Sequence, residues 1–131
     1  MSHRFEIRVY YEDTDLAGIV YYANYLKFIE RARTEWVRGL GVDQSRLKTE
    51  EGIVFAVRRV EADYLTPARF DDVLAVETRV EEIGGARITL TQTVRRDDET
   101  CFVARVQLVA LSNTGRPQRL PEALKRAIAE D

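Results

Sequence analysis

Hydrophobic and polar positions alternate from Arg4 to Tyr11, with Phe5, Ile7 and Val9 on one side and Glu6 and Arg8 on the other, the two-residue period of a strand. Short polar residues from Glu12 to Gly18 break that period, and Gly18 brings the positive-φ freedom that a tight turn uses. From about Asn24 the period lengthens. Tyr25, Phe28, Ile29, Ala32, Trp36, Val37 and Leu40 recur at helical spacing, one apolar stripe about four turns long. Asn24 is placed to cap this helix, Gly39 and Gly41 to end it, and Lys27, Glu30, Arg31, Arg33 and Glu35 to fill its solvated side. Asp43 to Glu51 is polar and predicts a short helix or loop.

The second half reads as strands. Ile53 to Tyr64 is a long β-rich run, and Asp72 to Ile83 sets Leu74, Val76, Thr78 and Val80 opposite Glu77, Arg79 and Glu81. Gly84-Gly85 and Asp97-Asp98 mark tight turns around Ala86 to Arg96, which carries Ile88, Leu90 and Val94 on one face. Phe102, Ala104, Val106, Leu108 and Ala110 form the inner face of a last strand, which ends at Asn113 to Arg116. Leu120 to Glu130 predicts a C-terminal helix. The order is strand, helix, four strands, the last three antiparallel neighbours, so one long helix covers one face of an antiparallel sheet in an α+β fold. No repeat or linker divides residues 1–131, which are expected to form a single domain.

Charge and cysteine content narrow the chemistry. With 20 Lys and Arg against 22 Asp and Glu, no basic field exists to attract nucleic acid. The lone Cys101 forms no intramolecular disulfide, and its strand setting reads as a buried, inert thiol. The only histidine, His3, lies at a terminus expected to be mobile. Together these leave no Ser-His-Asp triad, no Cys-His pair and no His- or thiolate-rich zinc site. No segment approaches the apolar length of a membrane span, and a soluble cytoplasmic protein is expected.

What remains is the stretch EDTDLAGIVYYANY, Glu12 to Tyr25: two carboxylates, a Gly turn and an aromatic run directly before the helix. A carboxylate beside the free N–H groups of a helix start suits acyl chemistry, because one part handles a proton or attacks while the other binds developing negative charge. By spacing alone, Asp15 reads first as a turn aspartate bonding its own backbone, since that use is far commoner than a catalytic one. Asp13 reads as structural. Tyr10, Tyr11, Tyr21, Tyr22 and Tyr25 fit an acyl-binding wall or a core cluster, and Glu30 and Glu35, among Lys and Arg at helical spacing, fit surface ion pairs.

The run VYYEDTDLAGIVYYANYLKFIERAR resembles the active-site signature of hotdog-fold acyl-CoA thioesterases of the 4-hydroxybenzoyl-CoA thioesterase and YbgC type. VRRVEADYLTPARFDDVLAVET is similar to a second block of that family. The likeness extends from Arg8 to about Leu111. It implies a long central helix covered by a curved antiparallel five-stranded sheet, and hydrolysis of acyl-CoA to a free acid and coenzyme A. It makes Asp15 the catalytic carboxylate, acting as nucleophile through a mixed anhydride or as general base on water. It assigns the backbone N–H near Tyr22 to polarising the thioester carbonyl, with Gly18, Val20 and Tyr25 completing the substrate site. Members of the YbgC branch often carry histidine where this chain has Tyr22, which matches the hydroxybenzoyl branch instead. Another hotdog branch carries its catalytic carboxylate on the helix, which would point to Glu30 or Glu35.

Basic residues that hold coenzyme A phosphates in such enzymes have no one-to-one match here, and Arg58, Arg59, Arg69 and Arg87 are the candidates. The resemblance implies no metal and no cofactor beyond the coenzyme A of the substrate. It also implies a homodimer or homotetramer with active sites between subunits, which the unpaired edges of a single sheet favour on physical grounds. Competing functions are hydrolysis of acyl-carrier-protein thioesters, a non-catalytic acyl-binding or scaffold role, and a hotdog dehydratase. The dehydratase needs an active-site histidine that His3 does not supply.

Overall fold

A computed structural model describes residues 2–130. The elements in chain order are β1 (Ser2–Arg8), α1 (Asn24–Gly39), α2 (Gln44–Glu51), β2 (Val54–Tyr64), β3 (Val73–Ile83), β4 (Arg87–Arg96), β5 (Glu99–Leu111) and α3 (Glu122–Glu130). The strands form one antiparallel sheet in the order β1-β3-β4-β5-β2, with β1 and β2 at its edges. Tight turns make β3, β4 and β5 consecutive neighbours, as their spacing predicts. Helix α1 lies across β1, β3 and β4. Its stripe of Tyr25, Phe28, Ile29, Ala32, Trp36 and Val37 is buried against Leu74, Val76, Leu90, Val94, Phe102 and Val106 of the sheet.

Three bulges keep the inner face apolar where the sequence loses its two-residue beat. In β2 the ladder passes from Val57, opposite Leu108, to Arg59, opposite Gln107, leaving Arg58 as the extra residue. The slip brings Val60, Ala62 and Tyr64 onto the face already held by Phe55 and Val57, opposite the buried Val106, Ala104 and Phe102. Glu81 plays the same part in β3, between Val80 and Glu82. In β5 the extra residue is Cys101, between Thr100 and Phe102.

Two polar side chains, Gln92 and Thr78, are fully buried against each other. Gln92 is 0% exposed, and its Nε2 donates to Ile29 C=O at 2.9 Å and to Thr78 Oγ1 at 3.0 Å. Its Oε1 accepts from Arg33 at 2.9 Å. Arg33 is thus drawn in from the helix surface, and burial lowers its pKa from the usual range.

Several sequence expectations need correction. The first strand ends at Arg8 rather than Tyr11: Val9 leaves the ladder to exchange backbone bonds with Asp71 and Asp72, and Tyr11–Asp13 forms a turn of 3-10 helix. His3, read as part of a loose terminus, lies in β1 opposite Thr78. Asn24 is the first residue of α1 and not its cap; Ala23 occupies the cap position. Of the two readings of the polar stretch from Asp43, by contrast, the helix holds, because Asp43 Oδ1 accepts from the N–H of Ser45 and of Arg46 and Gly52 ends it at φ 66°.

Candidate active site

The loop between β1 and α1 is fastened from within. Asp13 is 5% exposed; one carboxylate oxygen accepts from the Tyr10 N–H at 2.8 Å and the other from the Asn24 side-chain amide at 2.9 Å. Its carbonyl accepts from the Tyr21 N–H at 2.8 Å. The buried carboxylate is fully engaged in holding the loop to the first turn of α1, the structural part its sequence position suggests.

Between these anchors Asp15 to Gly18 makes a tight turn. Asp15 Oδ1 accepts from the Ala17 N–H at 2.9 Å, the Gly18 N–H donates to Asp15 C=O at 3.0 Å, and Gly18 adopts φ 80°. The turn is closed by a Thr14–Val20 bridge and fixed to a second loop by a bridge from Ile19 to Arg69 and by the Val20 N–H on Ala68 C=O. Unlike Asp13, Asp15 is only half-buried and keeps its second oxygen, Oδ2, without a bond among the described residues.

That carboxylate opens on a cavity of about 290 Å³ lined by Asp15, Ile19, Val20, Tyr22, Tyr25, Tyr64, Leu65, Thr66, Pro67 and Cys101. Asp15, Val20, Tyr22 and Tyr25, singled out in the sequence, meet here. Gly18 shapes the turn without lining the space. At the mouth of α1 the Asn24 N–H bonds Tyr21 C=O at 2.8 Å, whereas the Tyr22 and Ala23 N–H groups find no acceptor among the described residues. They are free donors at the positive end of a sixteen-residue helix.

The cavity wall is aromatic. Tyr25 stacks on Phe102 at 4.9 Å and its hydroxyl accepts from the Ala68 N–H at 3.1 Å; burial is the main reason its phenol is raised above the usual range. Tyr64 packs edge-on to Tyr22, Tyr25 and Phe102. Of the five tyrosines read from the sequence as wall or core, only Tyr25 is buried. Tyr22 is exposed at the cavity, and Tyr10, Tyr11 and Tyr21 are exposed away from it.

Tyr64, Leu65, Thr66 and Pro67 were not singled out as site residues by spacing, since a strand end and the loop after it carry no periodic signal. Cys101 reaches the cavity because the β5 bulge lets it and Phe102 both be buried. Its carbonyl holds the Leu65 and Thr66 N–H groups, and burial raises the thiol above its usual range, in keeping with an unreactive group.

The basic candidates divide. Arg58 and Arg87 line one cavity of about 600 Å³ together with Gly84, Gly85 and Pro117. It lies toward the other end of the sheet from Tyr64 and Cys101. Arg59 is paired with Glu61 at 3.3 Å, and the Arg69 backbone is bound to the Asp15 turn and to Asp72. Of the helix carboxylates, Glu35 pairs with Arg38 and Glu30 accepts from Thr34, and neither lines the Asp15 cavity. Among the described residues no group of three or more His, Cys, Asp or Glu could hold a metal ion.

A long helix on one face of a five-stranded antiparallel sheet, with a carboxylate turn at the helix start, is the hotdog arrangement of thioesterases. The model of the thioesterase-like superfamily matches residues 9–128, and the chain belongs to that family. It is 43% identical over 125 residues to the acyl-CoA thioesterase YbgC of Haemophilus influenzae, covering 94% of this chain and 91% of the relative. It is 37% identical over 123 residues to the acyl-CoA thioester hydrolase YbgC of Escherichia coli, covering 92% and 91%. Among solved structures, a probable thioesterase from Bartonella henselae superposes with a TM-score of 0.89 at 36% identity, over 92% of this chain and 100% of that one.

Proposed function

We infer that this protein hydrolyses the thioester bond of acyl-CoA to a free acid and coenzyme A, with Asp15 as its catalytic carboxylate. The observation that carries the assignment is one cavity lined by both the half-free Asp15 carboxylate and Tyr22, whose backbone N–H lacks an acceptor among the described residues. The acyl group occupies the aromatic cavity and the thioester carbonyl oxygen faces the Tyr22 amide, which stabilises the charge gained as the carbonyl carbon becomes tetrahedral. The Asp15 carboxylate either attacks that carbon, giving an acyl-aspartyl anhydride that water cleaves, or removes a proton from the attacking water. In both routes the C–S bond breaks and the departing sulfur ends as the coenzyme A thiol. Water is the only co-reactant, so no metal or further cofactor enters the reaction.

Arg58 and Arg87, convergent on one cavity, are the proposed contacts for coenzyme A phosphates. We propose a homodimer or homotetramer whose active sites lie between subunits. The support is β2, an edge strand with exposed Val57, Val60 and Tyr64 and with unpaired backbone groups along its outer side. A cytoplasmic setting is proposed because Cys101 is a free thiol and acyl-CoA is an intracellular metabolite. No described helix is long and apolar enough to cross a membrane.

Release of free thiol from acyl-CoAs of graded chain length and from aromatic acyl-CoAs tests the activity, with acyl carrier protein thioesters as the competing substrates. No thiol release from any of them would leave a non-catalytic acyl-binding role. Label found in Asp15 after a single turnover in ¹⁸O-labelled water would establish the anhydride route, since only that route, with water attacking the aspartyl carbon, leaves it there.

A further inference from the structure

Tyr22 stands between two peptide groups whose carbonyls are both engaged. Tyr21 C=O accepts from the Asn24 N–H at 2.8 Å, and Tyr22 C=O accepts from the Tyr64 hydroxyl at 3.1 Å. A trans peptide holds its N–H opposite its C=O in one plane. Anchoring the Tyr21 carbonyl therefore aims the Tyr22 N–H, and anchoring the Tyr22 carbonyl aims the Ala23 N–H. Within a regular helix Tyr22 C=O would accept from the Leu26 N–H, but that N–H bonds Ala23 C=O at 3.1 Å. The carbonyl is thus held by a side chain from the end of β2 and not by α1.

Tyr64 is itself well placed to be a fixed anchor. Its ring meets Tyr22 at 6.2 Å, Tyr25 at 5.7 Å and Phe102 at 5.0 Å between centroids. Burial, followed by the neighbouring Tyr22, raises its phenol above the usual range, so the hydroxyl keeps its proton and remains a donor.

We propose that Tyr64 is a positioning residue for thioester hydrolysis, its hydroxyl holding the Tyr22 carbonyl and so fixing the backbone that presents the Tyr22 N–H to the Asp15 cavity. The inference rests on the assignment of Asp15 and the Tyr22 amide made above. Tyr64 touches no reacting atom; it acts through the backbone it holds. Tyr64→Phe keeps the ring contacts and deletes only the hydroxyl. Since removing an oxyanion donor outright costs about 10²–10³ in kcat, loosening one should lower kcat by roughly tenfold with KM unchanged.

The test pairs these kinetics with infrared spectroscopy. The acyl-CoA turned over fastest in the thiol-release series, labelled with ¹³C at its carbonyl, is bound to Asp15→Asn and to Asp15→Asn with Tyr64→Phe. Polarisation by the Tyr22 amide lowers the carbonyl stretch in the first protein, and the added Tyr64→Phe change should return it toward the solution value. An unnatural amino acid that replaces the phenol by a para-amino group restores a donor and should recover kcat. It also serves as the second variant if Tyr64→Phe folds poorly.

Unchanged kcat and unchanged stretch on loss of the hydroxyl would overturn the role of Tyr64 while leaving Asp15 in place. A rise in KM alone would also overturn it and make Tyr64 a wall of the substrate cavity. Wild-type kcat in Asp15→Asn would instead overturn the catalytic assignment, and the Tyr64→Phe kinetics in the wild-type background are read independently of that result.

Discussion

The side-chain amide of Asn24 donates to the buried carboxylate of Asp13 at 2.9 Å, tying the first residue of α1 to the loop that carries Asp15. The other Asp13 oxygen holds the Tyr10 N–H, so the carboxylate bridges the two ends of the loop. Removing it leaves two donors without an acceptor. Asp13→Ala should therefore lower unfolding stability by roughly 2–6 kcal/mol, at about 1–3 kcal/mol per unsatisfied group. Urea unfolding followed by circular dichroism checks this, and a loss under about 1 kcal/mol, half the smallest expected effect, would show that the loop does not depend on the bridge.

Asp15→Asn should abolish most turnover with fold and substrate binding retained. The amide keeps the size and can still accept from the Ala17 N–H, but it neither attacks a thioester nor takes a proton from water as a carboxylate does. An interaction made only in the transition state lowers kcat and kcat/KM together, which steady-state kinetics reads directly. Near wild-type kcat in this variant, with loss of kcat in Glu30→Gln or Glu35→Gln, would move the catalytic carboxylate to α1.

At Gly18 the cost of a side chain is conformational and not steric. An added Cβ would meet nothing within 4 Å, yet φ is 80°, in the left-handed region. Gly18→Ala should cost about 1–2 kcal/mol of stability, and Gly18→Asn less, because asparagine tolerates that region better. Equal stability of the two variants in thermal unfolding would show that the turn relaxes out of the left-handed conformation.

Asp72 supplies a pH dependence. Burial acts to raise its pKa, but hydrogen bonds from Arg96 and from the Arg69 N–H, each at 2.8 Å, outweigh it and hold the carboxyl below its ordinary value of 3.8. A group with a depressed folded-state pKa contributes stability above its unfolded value and loses it as pH falls through the folded one. Thermal midpoints should therefore drop on acidification below about pH 4, the ordinary carboxylate range. Asp72→Asn should be less stable at neutral pH and show a flatter acid limb. Parallel acid limbs in the two proteins would assign that loss to other carboxylates.

The helix stripe and the inner-face runs Leu74 to Val80, Ile88 to Val94 and Phe102 to Ala110 were legible because each keeps one period, and the turn that carries Asp15 because it stands between a strand run and the helix run. Asn24 shows where local signals stop. Its type and position suit a cap, but a buried acceptor eleven residues earlier claims its side chain, and that pairing is tertiary. Cys101 and Tyr64 were invisible as cavity residues for a related reason. A bulge turns one toward the space and a cross-sheet aromatic cluster turns the other, and neither leaves a trace in the spacing. The Arg58 and Arg87 pairing likewise depends on strands β2 and β4 flanking β5.

Strand β2 is one residue longer than its pleat requires. In an ordinary strand, loss of one residue inverts every side chain beyond the break. Here, loss of Arg58 would leave Val57 and Val60 separated by Arg59 alone, so Phe55, Val57, Val60, Ala62 and Tyr64 would still share the inner face of the sheet in regular alternation. The length of this edge can thus vary by one position in evolution without disturbing the Tyr64 anchor at its far end. What such a shortening removes is one guanidinium from the basic cavity and the local bend of the edge strand, which separates the history of the acyl pocket from that of the surface proposed to meet the phosphates.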